Sequence, residues 1–128
     1  MNETDKAILE AQKAIDEAVL KTARRIALRV TQAIILATPV DTGRARGNWI
    51  VSVDKPNTEQ FPDKKDPTGM EAIAEATRTI LLETKKVGVQ IFLSNNLPYI
   101  LPLNNGHSAQ APAGFVEKAI QAAVSAER

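Results

Sequence analysis

The sequence predicts an α+β fold, with a long N-terminal helix and two shorter helices packed on a small, mainly antiparallel sheet. Three observations carry this. Apolar residues recur three, four or seven apart from Thr4 to about Ala37, two short β-rich runs lie at 48–53 and 87–93, and helical patterns occupy about 67–86 and 114–126. The order helix, strand, helix, strand, helix suits a layered single domain spanning residues 1–128.

The first helix is marked by Ile8, Ala11, Ile15, Val19, Ile26, Val30, Ile34 and Ala37, which fall on one stripe at helical spacing. Asn2 or Thr4 can cap its first amides, and Pro39 sets its end by pushing the preceding residue out of helical geometry. Its charges are segregated. Glu3, Asp5, Glu10, Asp16 and Glu17 come first, then Lys21, Arg24, Arg25 and Arg29. This polarity suits either a solvated helix or packing between subunits.

Pro39-Val40-Asp41-Thr42-Gly43 is turn chemistry, and Asn48 to Val53 has the β-branched and aromatic content of a strand. Lys55 to Asp66 carries Pro56, Pro62 and many charges but little to bury, which predicts an exposed loop available to a partner. The second helix starts at Asp66-Pro67-Thr68-Gly69-Met70-Glu71, where Thr68 and Glu71 have capping-box spacing, and Met70, Ile73, Thr77, Ile80 and Leu81 form its expected inner face. Gly88 separates it from the strand Val87–Leu93, which ends at Asn95-Asn96. Leu97 to Ser108 is apolar but broken by Pro98, Pro102 and an Asn-Gly turn, and is expected to be a docked loop. The last helix should face inward through Phe115 or Val116, Ala119, Ile120, Ala123 and Val124.

Composition narrows the chemistry. The net charge of +1 gives no global excess of base to drive tight DNA binding, and only 4% of residues are aromatic, so a lone chain builds a thin core and oligomerisation is plausible. The absence of cysteine excludes disulfides and thiolate metal sites. The acidic N-terminal residues lack the features of a secretory signal, and the uncharged run Val30–Val40 is far shorter than the about 20 residues that span a bilayer, so no export and no membrane contact are expected.

Catalytic patterns are missing too. His107 is the single histidine; Asp41, His107 and Ser108 could nominally supply a triad, but no Gly-x-Ser-x-Gly elbow surrounds a serine. One histidine and scattered acids leave no metal-ligand set, and Gly43-Arg44-Ala45-Arg46-Gly47 lacks the Gly-Lys-Ser/Thr ending of a phosphate loop. The expectation is a non-enzyme with no cofactor. Arg44 and Arg46, with Arg24, Arg25 and Arg29, concentrate positive charge that could meet DNA backbone or a neighbouring subunit.

Two segments form corners on physical grounds. In Thr38 to Trp49, Pro39 stops a helix, Asp41 and Thr42 can bond nearby backbone, Gly43 permits a tight reversal and Trp49 anchors a strand. In Asn95 to Ser108, Tyr99 offers a ring with a hydroxyl and Gly106 frees the backbone to turn. Read together, Thr38-Pro-Val-Asp-Thr-Gly-Arg-Ala-Arg-Gly-Asn-Trp49 and Asn95-Asn-Leu-Pro-Tyr-Ile-Leu-Pro-Leu-Asn-Asn-Gly-His-Ser108 resemble the signature of the minor tail and tail-completion (neck) family of tailed bacteriophages. Ala111-Pro112-Ala113-Gly114 is similar to that family's approach to its C-terminal helix. Asn104-Asn105 departs from it where an acid is common, and Ala45 where a larger apolar residue is common.

The resemblance implies a structural virion protein that forms a ring at the head-tail junction or tail end, completes the tail and joins it to the head around the DNA channel. A hexamer is expected, with a dodecamer as the alternative. The implied partners are further copies of the chain, neighbouring connector, adaptor or tail-tube proteins, and DNA in the channel through non-specific contact. The implied location is the neck or tail of the virion, after assembly in the host cytoplasm. Arg24, Arg25, Arg29, Arg44 and Arg46 are the expected subunit- or DNA-facing residues. The rival readings are a small DNA-binding regulator using the basic part of helix one, a hydrolase with His107 as base, and a head-side connector or adaptor.

Overall fold

The structure, a computed structural model, describes residues 1–106 and 111–127. Its elements in chain order are α1 (Glu3–Ala37), α2 (Arg44–Gly47), β1 (Ile50–Val53), α3 (Met70–Glu83), β2 (Ile91–Ser94), α4 (Ile100–Asn104) and α5 (Phe115–Ser125). The class is α+β, as the periodicities predict. The two strands pair antiparallel in the register Ile50–Ser94, Val51–Leu93, Ser52–Phe92 and Val53–Ile91. The short turns α2 and α4 are additional to the predicted three helices.

The 35 residues of α1 form the spine. Asn2 caps its start by accepting the Asp5 amide at 2.8 Å, and Thr38 ends it in extended geometry before Pro39. Both α3 and α5 pack on α1, and α3 also covers β1. The core joins Ile34, Ile35, Trp49, Ala72 and Ala119, with a second cluster of Val51, Ala76 and Ile80 beside it. Only the C-terminal half of α1 takes part, for its buried residues are Thr31, Ile34 and Ile35. Its first half, including Ile8, Leu9, Ile15 and Val19, is exposed.

Small residues set the inward faces of the shorter helices. In α3 the buried residues are Ala72, Ala76 and Ile80, while Met70 and Leu81 of the expected inner face are exposed. In α5 they are Phe115, Ala119 and Ala123, while Ile120 and Val124 face outward. Alanines spaced four apart let these helices approach closely, so interaxial distance, more than side-chain hydrophobicity, selects the face.

Other boundaries move for local reasons. Strand β2 begins at Ile91, after a turn at residues 87–88, and beyond its pairing with β1 the Asp54 amide donates to Gln90 O at 2.7 Å and the Gln90 amide to Asp54 Oδ1 at 3.2 Å. Part of the predicted docked loop is α4, which contains Pro102; at the third helical position the proline's missing N–H would have had no intrahelical partner. The expected Thr68–Glu71 capping box is replaced by a longer reach. Asp66, buried, accepts the Ala72 amide at 2.8 Å through Oδ2, while the Thr68 hydroxyl accepts the Met70 amide at 3.3 Å.

The side chains of the 55–66 loop are largely exposed, but its backbone is held by the body of the protein. Asn48, fully buried, donates through Nδ2 to Phe61 O at 2.9 Å and accepts the Phe61 amide at 2.7 Å. Asn96 Nδ2 donates to Asn57 O at 2.8 Å and Glu59 O at 3.0 Å. Among the described residues, no helix is long and apolar enough to cross a membrane.

Candidate functional site

The two corner segments meet. Their junction starts at Thr38, whose buried hydroxyl donates to Ile34 O at 2.7 Å and accepts Trp49 Nε1–H at 2.8 Å. One oxygen thus satisfies the indole and closes the last turn of α1. Thr42 accepts the Arg44 amide at 3.3 Å, and Asp41 beside it is exposed. Gly43 then reverses the chain at φ 86° and lies directly on the backbone of residues 66 and 67. Its carbonyl accepts both the Gly47 amide and the Asp66 amide at 3.0 Å.

The second segment docks on the first through side-chain amide and phenol. Asn95 Nδ2 donates to Ala45 O at 2.9 Å, Leu97 is buried, and the Tyr99 phenol lies within the field of the Arg44 guanidinium. Farther on, Gly106 turns at φ 96° with Ala113 packed against it. Asn104 accepts the Val116 amide at 3.0 Å and donates to both carboxylate oxygens of Glu117, at 2.9 and 3.1 Å. It therefore caps α5 from outside the helix. An acid here would keep the first bond but set its charge against Glu117, a physical reason for the amide at this position.

Tyr99 reports on this junction because it is the only tyrosine in the chain. Partial burial pushes its phenol above the ordinary value of 10.0, against the pull of Arg44's charge, with Asp41 adding to the rise. A raised phenol keeps in the folded chain a proton that the unfolded chain has released. Stability is therefore fully present below 10.0 and declines as pH rises through the folded value. In an ultraviolet titration, Tyr99 should ionise above 10.0, higher still in Arg44→Gln and lower in Asp41→Asn. A midpoint at or below 10.0 in the unmodified chain would contradict this geometry.

The other arginines share an intramolecular task. Arg24 donates through Nε, at 3.0 Å, and through a second nitrogen to Thr84 O, at the C-terminus of α3. Arg25 Nε pairs with Glu127 Oε2 at 3.0 Å; Arg29 Nε lies 2.8 Å from Oε1 and its NH1 donates to Ala126 O at 3.4 Å, just past α5. The Arg29 Nε contact is an ion pair by distance without the alignment of a hydrogen bond, since Oε1 has no such partner. Arg46 gathers Thr38 O at 2.9 Å, Leu36 O at 2.8 Å and Pro67 O at 2.9 Å. Four guanidinium groups thus sit at the carbonyl ends of α1, α3 and α5, where unsatisfied oxygens and the helix dipole favour a cation.

These contacts give the arginines a task within the chain besides the outward role expected of them. Arg46 and Arg24 direct donors into their own chain, while Arg25 and Arg29 keep about half of their side-chain surface exposed (49% and 47%). Arg44 differs: its Nε is buried with no hydrogen-bond partner among the described residues. His107 and Ser108, the remaining members of the nominal triad, lie outside the described residues. Among the described residues no three His, Cys, Asp or Glu side chains gather where they could hold a metal ion.

Sequence reasoning missed the residues that lock the junction, namely Asn48, Asp66, Asn95, Asn96 and Asn104. Each bonds backbone at least six positions away, so no local pattern marks it, although a buried asparagine next to Trp49 was a legible hint. Comparison with protein-family models, curated proteins and solved structures gives no match.

Proposed function

We propose that this chain is a non-enzymatic structural subunit of a tailed bacteriophage particle, forming a ring at the tail end or head-tail junction around the DNA channel. One observation carries the reading beyond the sequence resemblance. A body braced by two interlocked corners leaves the first half of α1 exposed among the described residues, apolar stripe included. Packing of an amphipathic face supplies most helical stability in proteins, and this stripe is left exposed. It suits a subunit completed by its neighbours.

The corners fit a load-carrying part. They join α1, the loop at 55–66, β2 and α4 through part-buried side-chain bonds. The DNA-binding regulator draws less support, because Arg24, Arg25 and Arg29 are engaged at helix ends. Non-specific contact with DNA in the channel remains compatible with the exposed parts of Arg25 and Arg29.

Phage particles assembled without this chain should accumulate as filled heads and separate tails, and purified protein added to the extract should restore joined, infectious particles. Complete particles of normal infectivity formed in its absence would refute the proposal.

A further inference from the structure

We infer that the first half of α1 is an arm that docks in a basic groove between α1 and α3 of a second copy of this chain. The arm supplies apolar anchors: Ile8 is 64% exposed, Ile15 58% and Val19 45%. Asp5 and Asp16 stand three residues before Ile8 and Val19, hence on the same helical face. Five carboxylates and two lysines leave residues 3–19 at net −3.

The groove is complementary. It encloses about 450 Å³, with Leu28 of α1 and Leu81 of α3 as its apolar lining and Lys21, Arg24, Arg25 and Arg29 around them. Leu81 is 52% exposed, an apolar side chain with about half of its surface open among the described residues. Residues 20–37 carry four cations and no acid, net +4, and Glu127 pairs with two of them, Arg25 and Arg29. An acidic helix with apolar anchors fits a groove with an apolar lining and a cationic rim, the arrangement by which amphipathic helices are bound.

The same polarity disfavours parallel pairing of two arms, which would bring like charges together. Arm into groove is a heterologous contact, made by two different patches, and such contacts propagate around a ring when the rotation closes. Closure rests on the ring reading proposed above; the contact itself rests on exposure and charge.

The absence of cysteine makes the test clean. Full-length Ile15→Cys and Leu81→Cys chains are mixed, oxidised and analysed by mass under non-denaturing and denaturing conditions. The expected product is a disulfide between positions 15 and 81 of different chains. Asp5→Lys/Asp16→Lys should weaken association at least tenfold with an unchanged helix signal in circular dichroism, and added salt should weaken association of the unmodified chain. A cross-link between two copies of Ile15→Cys, no cross-link at all, or association unaffected by the charge reversals would overturn the inference. Assemblies linked at 15 and 81 that stop at two chains would keep this contact and refute the ring. Rings without that linkage would keep the ring and refute the contact.

Discussion

Gly43→Val should lower the free energy of unfolding by about 3–5 kcal/mol, read from urea denaturation. Two effects add. The residue sits at φ 86°, where a β-branched side chain is strained by about 1–3 kcal/mol. A Cβ would also fall 2.4 Å from Pro67 N and 2.7 Å from the Asp66 backbone, which is main chain and cannot rotate aside. Relief would require the 66–67 segment to withdraw, breaking the Asp66 amide bond to Gly43 O and disturbing the Asp66 cap on α3. Gly88→Val is the control. It shares a positive φ of 95° but has open space where its Cβ would go, so it should lose only the backbone strain. Equal losses at the two glycines would show that close packing at the corner does not matter.

Trp49→Ala should cost about 3–5 kcal/mol, the range for deleting a large aromatic from a packed core. Trp49 lies in the cluster that joins α1 to α3 and α5, so its loss opens a cavity where three helices converge. The polar part of the effect can be separated. Thr38→Val removes the acceptor for the indole N–H, leaving a buried donor unsatisfied at about 1–3 kcal/mol, and Trp49→Phe removes that donor instead. The double variant should recover part of the sum, a coupling of about 1 kcal/mol in a double-mutant cycle. Strict additivity would mean that the hydroxyl and the indole do not act together.

Both experiments probe features only half visible in the sequence. Pro39, Gly43 and Trp49 announce a corner through local chemistry, since a helix stop, a left-handed turn and a strand anchor each leave a mark within a few residues. What Gly43 packs against lies more than twenty positions away and leaves no such mark. The α1 pattern was equally legible, but periodicity reports which residues share a face and not what covers it. The stripe through Ile8, Ile15 and Val19 is exposed, whereas the buried residues of α1 begin at Thr31.

The arginines teach the same lesson in charge. Clustered along the sequence, they resembled a binding surface. In space Arg24, Arg25, Arg29 and Arg46 also brace the C-termini of three helices, because α1 is the element on which the ends of α3 and α5 rest, while Arg24, Arg25 and Arg29 still line one groove. The asparagines were the reverse case. Asn48, Asn95 and Asn96 read as turn or strand-end residues, yet their amides hold the 55–66 loop and the α2 turn, a task for groups that donate and accept without carrying charge.

Under the proposed ring reading, these features would connect sequence to assembly. Corner residues with little freedom fix the body, the body fixes the direction of α1, and α1 projects an acidic, apolar-striped half beyond its own core. Rigid bodies with a directed arm are what a repeating contact around a ring requires, because small errors in arm angle would accumulate from copy to copy.

The most direct measurement is an image reconstruction of intact phage particles in which this chain carries a visible tag. A ring of density bearing the tag, placed at the tail end or between head and tail and encircling the DNA path, is the predicted result. A tag that is absent from purified particles, or scattered over the capsid surface, would contradict the ring-subunit reading.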